Sequence, residues 1–154
     1  MGRIRLSRVT PTVDTSAYAD ADQVTGLMTF TAVLSPERRG LIKSVVMIYE
    51  SGTAAAMNLH LFRASVTIAS TINNALNISD ADMTASYVGT VNIPSTANTN
   101  VEALSANAVQ YRHLVDLAVD STDGNLYGVL EATAAVTFTA ADDLTIVLGV
   151  EAMS

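Results

Sequence analysis

Cysteine and tryptophan are both absent from this chain of 154 residues. Without cysteine there is no disulfide, no thiolate nucleophile and no zinc site built on thiolates. Aromatic residues make up only 5% of the sequence, so the flat side chains that stack on sugar rings are scarce. These absences weigh against thiol-dependent enzymes, zinc–cysteine modules and carbohydrate-binding modules.

Charge is also scarce. Charged residues are 15% of the chain, against about a quarter in an average soluble domain, while 49% of the residues are hydrophobic. This composition excludes an intrinsically disordered chain, which combines low hydrophobicity with high charge. Eight basic and fifteen acidic residues leave a net charge of −7, so binding to nucleic acid through the whole surface is not expected.

Long apolar runs are missing as well. No segment reaches the roughly 18 consecutive apolar residues of a membrane helix, and no signal-peptide stretch follows the basic start, so neither a membrane nor export is expected. The mean hydropathy of +0.33 is high for a chain without such a segment. Because large apolar patches mark interfaces, we expect partners to cover much of the surface.

Alternation of apolar and polar residues is the main structural signal. A period of two, typical of half-buried strands, runs through 27–34, 57–62 and 144–150. Further strands are predicted at 41–50, 87–93, 109–117, 126–133 and 136–138, with a long polar loop at 95–107 and a capped helical turn after Ser79. The residues predicted to be buried are Phe30, Ile48, Leu61, Val91, Leu130, Ile146 and Leu148.

Seven to nine short strands separated by turns predict an all-β protein, an antiparallel β-sandwich or jelly-roll-like domain with at most one or two short helices. We divide the chain into an extended N-terminal arm, 1–24, and a β-sandwich domain, 25–154. The short run Ile4 to Leu6 is expected to pair at a sheet edge or on a neighbouring chain.

Basic residues cluster in two places, and none follows Arg112. Such a distribution is typical either of a solvated acidic end or of two electrostatic poles that order partners. On the second interpretation, residues of the arm and of the turn at 35–40 are the candidates for a partner interface. They are Arg3, Ile4, Arg5, Leu6, Arg8, Arg38 and Arg39.

Residues for catalysis or metal binding do not form a pattern. His60 and His113 lie far apart, and no Gly-x-Ser-x-Gly motif accompanies them. The pairs Asp20/Asp22, Asp80/Asp82 and Asp142/Asp143 match no calcium loop, and a turn, a helix cap and a strand entry explain them better. We therefore predict no catalytic residue, no cofactor and no metal, and expect the protein not to be an enzyme.

Several segments, in order along the chain, resemble bacteriophage virion structural proteins. They are DTSAYAD at 14–20 with VTGL at 24–27, GLIKSV at 40–45, LHLF at 59–62, NALNISDAD at 74–82 and ADDLTIVLG at 141–149. The pattern spans 14–150 and is most like that of head decoration proteins. It departs from that group at 65–67, where Ser-Val-Thr stands in place of the expected Pro-Thr.

This resemblance implies a protein of the capsid surface, made in the host cytoplasm, that clamps adjacent subunits of the major capsid protein as a homotrimer. No catalytic residue is carried over by it. Two alternatives stay open: a tail- or fibre-associated phage structural protein, and a small glycan-binding module or hydrolase. Binding to empty heads would separate the first from decoration, and a glycan array with a turnover screen would test the second.

Overall fold

A computed structural model describes residues 3–50, 55–94, 101–105 and 108–153, and within 101–114 it describes the strand backbones only. These residues form nine strands and one short helix, which confirms the all-β prediction. In chain order they are β1 (Arg3–Val9), β2 (Met28–Phe30), β3 (Arg39–Tyr49), β4 (Met57–Phe62), α1 (Asp80–Ser86), β5 (Tyr87–Ile93), β6 (Val101–Ser105), β7 (Ala108–Asp120), β8 (Leu126–Ala132) and β9 (Leu144–Ala152).

The strands form a sandwich of two antiparallel sheets. One has five strands in the order β1-β9-β3-β7-β6, and the other has four in the order β2-β8-β4-β5. With β6 set aside, the pairs β1–β9, β2–β8, β3–β7 and β4–β5 are nested, as if a long hairpin were wrapped around the core. This is the strand order of a jelly roll.

The core lies between the two sheets. On β9 the buried side chains are Leu144, Ile146, Leu148 and Val150, and on β4 they are Met57, Leu59 and Leu61. Both sets follow the predicted period of two. Six of the seven residues predicted to be buried are so; Ile48 is the exception.

The prediction for Ile48 was wrong because of an irregularity in β3. Relative to β9, the register of β3 shifts between Ile42 and Ser44, so that Lys43 is an extra residue. One extra residue reverses the faces of everything beyond it. Ile42 is therefore followed inside the sandwich by Val45, Met47 and Tyr49, while Ile48 faces outward and is half-buried.

Three further expectations are corrected. The strand predicted at 27–34 ends at Phe30, because the chain turns with Ala32 in the left-handed region (φ 54°) and its N–H bonded to the Asn125 side chain. At 136–138 only Val136 forms a bridge, to Tyr18, although Phe138 is buried. The predicted loop 95–107 contains β6, and the rest of it lies outside the described residues.

The segment between β4 and β5 covers the outer side of the four-stranded sheet. Ser79 caps α1 as predicted, accepting a hydrogen bond from the N–H of Asp82. A second hydrophobic cluster joins Phe62 and Val129 of the sheet to side chains of this segment, which are Val66, Ile68, Leu76, Ile78 and Met83. This sheet is therefore buried on both sides over part of its area.

Residues 3–24 contribute to both the sheet and the core. β1 pairs with β9 along its whole length, from Arg3 opposite Ala152 to Val9 opposite Ile146. Val13, Tyr18 and Val24 are buried in the main cluster. Of the two placements expected for Ile4 to Leu6, the structure has the edge of the chain's own sheet; the division into an arm and a domain stays a prediction.

Candidate functional site

The outward side of the five-stranded sheet carries aliphatic residues where an antiparallel sheet facing water usually carries polar ones. We call this set the outer face: Ile4, Leu6, Leu41, Val46, Ile48 and Val147. Ile4 and Leu6 are 65% and 72% exposed, and the other four are half-buried. Neither hydrophobic cluster of the described residues includes any of the six.

Strand register explains how these residues come together. Leu6 lies opposite Gly149 on β9, and Gly149 lies opposite Ser44 on β3. A methyl group added at Gly149 would come within 2.4 Å of the Ser44 hydroxyl and 3.4 Å of the Leu6 side chain, so glycine there lets Leu6 lie flat across β9. Two residues further along β1, Arg8 lies opposite Val147 on β9, and Val147 lies opposite Val46 on β3.

Three exposed arginines lie on the five-stranded sheet, two on the edge strand β1 and one at the start of the central strand β3. Arg3 and Arg8 are exposed, and Arg39 is exposed at the start of β3. Arg3 and Gly40 both lie opposite Ala152, so β9 brings Arg3 and Arg39 to one end of the sheet although they are far apart in sequence. None of the three forms an ion pair with another described residue.

Two of the predicted interface residues form side-chain contacts within the chain. The Arg5 guanidinium points to the inner side of β1 and forms an ion pair with Glu37 at 2.9 Å. This hydrogen bond lowers the pKa of Glu37 from its usual value. Arg38 donates a hydrogen bond to the carbonyl oxygen of Thr122. Both contacts tie the turn after β2 to its surroundings.

The polar groups of the outer face are few. Lys43, the extra residue of β3, forms an ion pair with Asp116 of β7, and this contact raises the pKa of Lys43. Glu151 lies opposite Ile4 on one side and Leu41 on the other. The face is thus a largely aliphatic surface with a basic edge along β1.

His60 lies in a recess on the opposite side of the sandwich. The recess has a volume of about 220 Å³ and is lined by His60, Glu131 and the aliphatic residues Leu76, Ile78 and Met83. His60 Nδ1 is 2.8 Å from the Thr90 hydroxyl, and Nε2 is 3.5 Å from Glu131. Nε2 is buried and has no hydrogen-bond partner among the described residues, and the Thr90 hydroxyl at Nδ1 is also in contact with the Tyr87 hydroxyl.

The acidic pairs serve the local structure. Asp22 accepts a hydrogen bond from the N–H of Ala19, and Asp82 lies at the capped start of α1. Asp143 is buried; burial alone would raise its pKa, but hydrogen bonds from Thr139 and Ala140 outweigh it and the pKa is lowered. No group of three or more metal-ligating side chains occurs in the described ranges.

His113 lies opposite Val45 in the register of β7 and β3, and its side chain is outside the described residues. Within the part of the chain that the structure describes, no helix is long and apolar enough to cross a membrane. Among the described residues, the outer face is the strongest candidate for function.

Leu41, Val46 and Val147 were missed as surface candidates by the sequence analysis. A signal for them existed: 45–49 and 146–148 are continuous apolar runs, and a strand that is apolar at every position is covered on both sides. When these runs are interpreted with a period of two alone, half of their residues are predicted to face solvent. The continuous pattern indicates that the outward half also has a partner.

This chain has a distant structural likeness to chains of two insect virus particles. A chain of the native virion of Kashmir bee virus at neutral pH is 13% identical, with a TM-score of 0.35, and the match covers 97% of this chain and 69% of that one. The same virion at acidic pH gives 13% and 0.34, with the same coverage. A chain of black queen cell virus is 9% identical, with a TM-score of 0.29, and the match covers 98% of this chain and 69% of that one.

No protein-family model and no curated protein matches the sequence. At these values the structural likenesses add nothing to the assignment of the fold. The jelly-roll topology rests on the strand order and the nested pairing of the strands themselves.

Proposed function

We propose that this protein is a non-enzymatic structural component of a virus particle that decorates a bacteriophage capsid and bridges major-capsid subunits as a homotrimer. A jelly roll by itself does not determine function. The observation that carries the proposal is the outer face, an aliphatic sheet surface that the described chain leaves uncovered. The sequence resemblance to head decoration proteins supports the capsid as the partner.

Burial of the outer face against a partner would be favourable. Ile4 and Leu6 protrude most, and fully burying such a side chain is worth about 1.5–3 kcal/mol. Ordering and desolvation costs of association reduce that gain. A surface with few charged groups nevertheless avoids the cost of leaving polar atoms unpaired, which suits a permanent contact.

By bridging several capsid subunits, the protein would stabilise the shell mechanically, against forces that pull the subunits apart. Each copy in a trimer would hold its own contact, and outward pressure from packaged DNA would have to break all three together. The links act as one multivalent attachment, whose overall strength exceeds that of a single contact. This role requires no catalytic group.

The test is binding of the purified protein to particles of the parent virus that lack it. Leu6→Glu places a charge on the β1 side of the outer face, at a position exposed enough to leave folding unchanged. We expect occupancy to fall at least tenfold, because a buried unpaired carboxylate costs several kcal/mol. Electron cryomicroscopy of the decorated particle should show the outer face turned towards the shell.

Ala81→Glu is the matched control, because it adds the same charge at an exposed position of α1, on the other side of the sandwich. Its occupancy should equal that of the unmodified protein. Equal binding by the Leu6 and Ala81 variants would contradict the proposed use of the outer face. Absence of the protein from the shell in the cryomicroscopy map would contradict the capsid role.

A further inference from the structure

We infer that the partner contributes an acidic, extended segment that adds to the five-stranded sheet as a new strand beside β1. The inference rests on the proposed function and specifies the chemistry of the partner at the same surface. β1 is the terminal strand of its sheet and has seven residues, paired on one side with β9. The backbone groups along its other side are available for pairing, as at any sheet edge.

The side chains of β1 set what such a strand must carry. Ile4 and Leu6 offer apolar contacts on the outward side, and Arg3 and Arg8 lie near the two ends of the strand. Because neither arginine forms an ion pair with a described residue, both have hydrogen-bond donors for carboxylates. Side chains on adjacent strands lie about 5 Å apart, within reach of such a pair.

The Arg5 side chain is not available to bind the added strand. Its side chain points to the inner side of β1 and is held by Glu37. The available charge of β1 is therefore that of Arg3 and Arg8, with the apolar pair between them. The register of β1 with β9 puts Arg8 on the outward side with Ile4 and Leu6, and Arg3 on the inner side with Arg5. A segment with aliphatic residues at its centre and carboxylates directed to both sides at its two ends matches this arrangement.

A second copy of this chain is a poor occupant of the same edge. Pairing of β1 with β1 of another copy would bring together the three arginines of each strand, and like charges across a strand pair are destabilising. The other edge strands carry few acids: β2 (MTF) and β5 (YVGTVNI) have none, and β6 (VEALS) has one. Charge complementarity therefore favours a different chain.

The arginines also give selectivity. A bare apolar edge would pair with any exposed strand, and positive charge is a common protection against such aggregation. The same charges that repel a neutral or basic strand attract an acidic one, so protection and recognition use the same residues.

The experiment uses the full chain and a ten-residue peptide with two Glu at each end and Val alternating with Thr between them, compared with peptides in which Gln or Lys replaces Glu. Binding is followed by NMR, with amide hydrogen exchange of β1 as the structural readout. We expect the Glu peptide to slow exchange at alternate amides of 3–9, those that point away from β9. The Gln peptide should bind about tenfold more weakly, and affinity for the Glu peptide should fall with added salt.

The double variant Arg3→Gln/Arg8→Gln should weaken binding of the Glu peptide about tenfold. Arg39→Gln, an exposed arginine of the same sheet that is not on β1, is the matched control and should bind as the unmodified protein does. Equal binding of the Glu and Gln peptides, or protection that falls on β3 and β9 and spares β1, would overturn strand addition.

The capsid role and strand addition at β1 can be contradicted independently of each other. If the protein binds capsid particles through Leu6 but no peptide protects β1, strand addition is wrong and the proposed function stands. If the Glu peptide adds to β1 but the virus particles do not bind, the capsid role is wrong. If the Lys peptide binds best, the charge argument itself is wrong.

Discussion

Neighbouring residues of β3 and β9 have opposite surroundings. Ile146 is fully buried between the sheets, whereas Ile48, one register position away on β3, faces outward on the candidate interface. The two side chains have the same chemistry, so any difference in their contribution to stability comes from position. A comparison of the same substitution at Ile146 and at Ile48 therefore distinguishes a core position from a position on the outer face.

Ile146→Ala should lower the free energy of unfolding by about 2–5 kcal/mol, because it leaves a cavity in a closely packed core. Ile48→Ala removes the same atoms from a half-buried position and should cost less than about 1.5 kcal/mol. Denaturant unfolding of both variants measures the difference. Equal losses would show that the reversal of faces after Lys43 is wrong.

At the scale of elements, β1 is held by two kinds of contact. Backbone pairing joins it to β9 over seven residues, and the ion pair of Arg5 and Glu37 joins it to the turn that precedes β3. Removal of residues 1–10 would also expose the edge of β9, so point substitutions test the surface of β1 more cleanly than truncation does. The ion pair gives such a test through pH.

The pKa of Glu37 is lowered in the folded protein by the hydrogen bond from Arg5. A carboxyl with a lowered pKa stabilises the fold fully above its usual value of 4.5, and this contribution is lost as the pH falls through the lowered pKa. We therefore expect NMR signals of β1 to shift and broaden as the pH falls from about 5 to 3, in the range of these carboxyl pKa values.

In Glu37→Gln the acid-dependent part of this change should disappear, because the group no longer titrates. β1 should then already show the weakened contact at neutral pH. Identical titrations of β1 in both proteins would mean that other carboxyls govern the acid response.

At the scale of the whole molecule, the charge and the apolar surface are unevenly distributed. The net charge is −7, yet Arg3 and Arg8, which have no ion pair among the described residues, both lie on β1 at the edge of one sheet. One sheet is covered by the chain's own segment between β4 and β5, and the other presents the outer face. An uncovered face of this kind favours association, and the proposed trimer is one way to hide part of it.

We expect light scattering to find a stable trimer, about three times 16.1 kDa, across micromolar concentrations. Leu6→Glu, measured in parallel, shows whether the outer face forms the contact between copies or is left for another partner. A monomer over the whole concentration range would remove the homotrimer from the proposed function. A trimer that persists in the variant would leave the outer face free for the capsid.

Local sequence patterns were sufficient to predict the fold class, most strands and most of the core. Alternation in 57–62 and 144–150 is a local signal, because successive side chains of a strand point to opposite sides. The Ser79 cap is equally local. The basic and apolar residues of β1 were also identified as interface candidates from the sequence.

Tertiary structure alone decided which residues share a surface. The face of Ile48 depends on one extra residue that becomes visible only when β3 is paired with β9. The proximity of Arg3 and Arg39 depends on a strand more than 100 residues away in sequence, β9, which lies between them. The engagement of Arg5 by Glu37 depends on a turn that packs beside β1. Long-range pairing sets these relations, and a local pattern carries no information about register between distant strands.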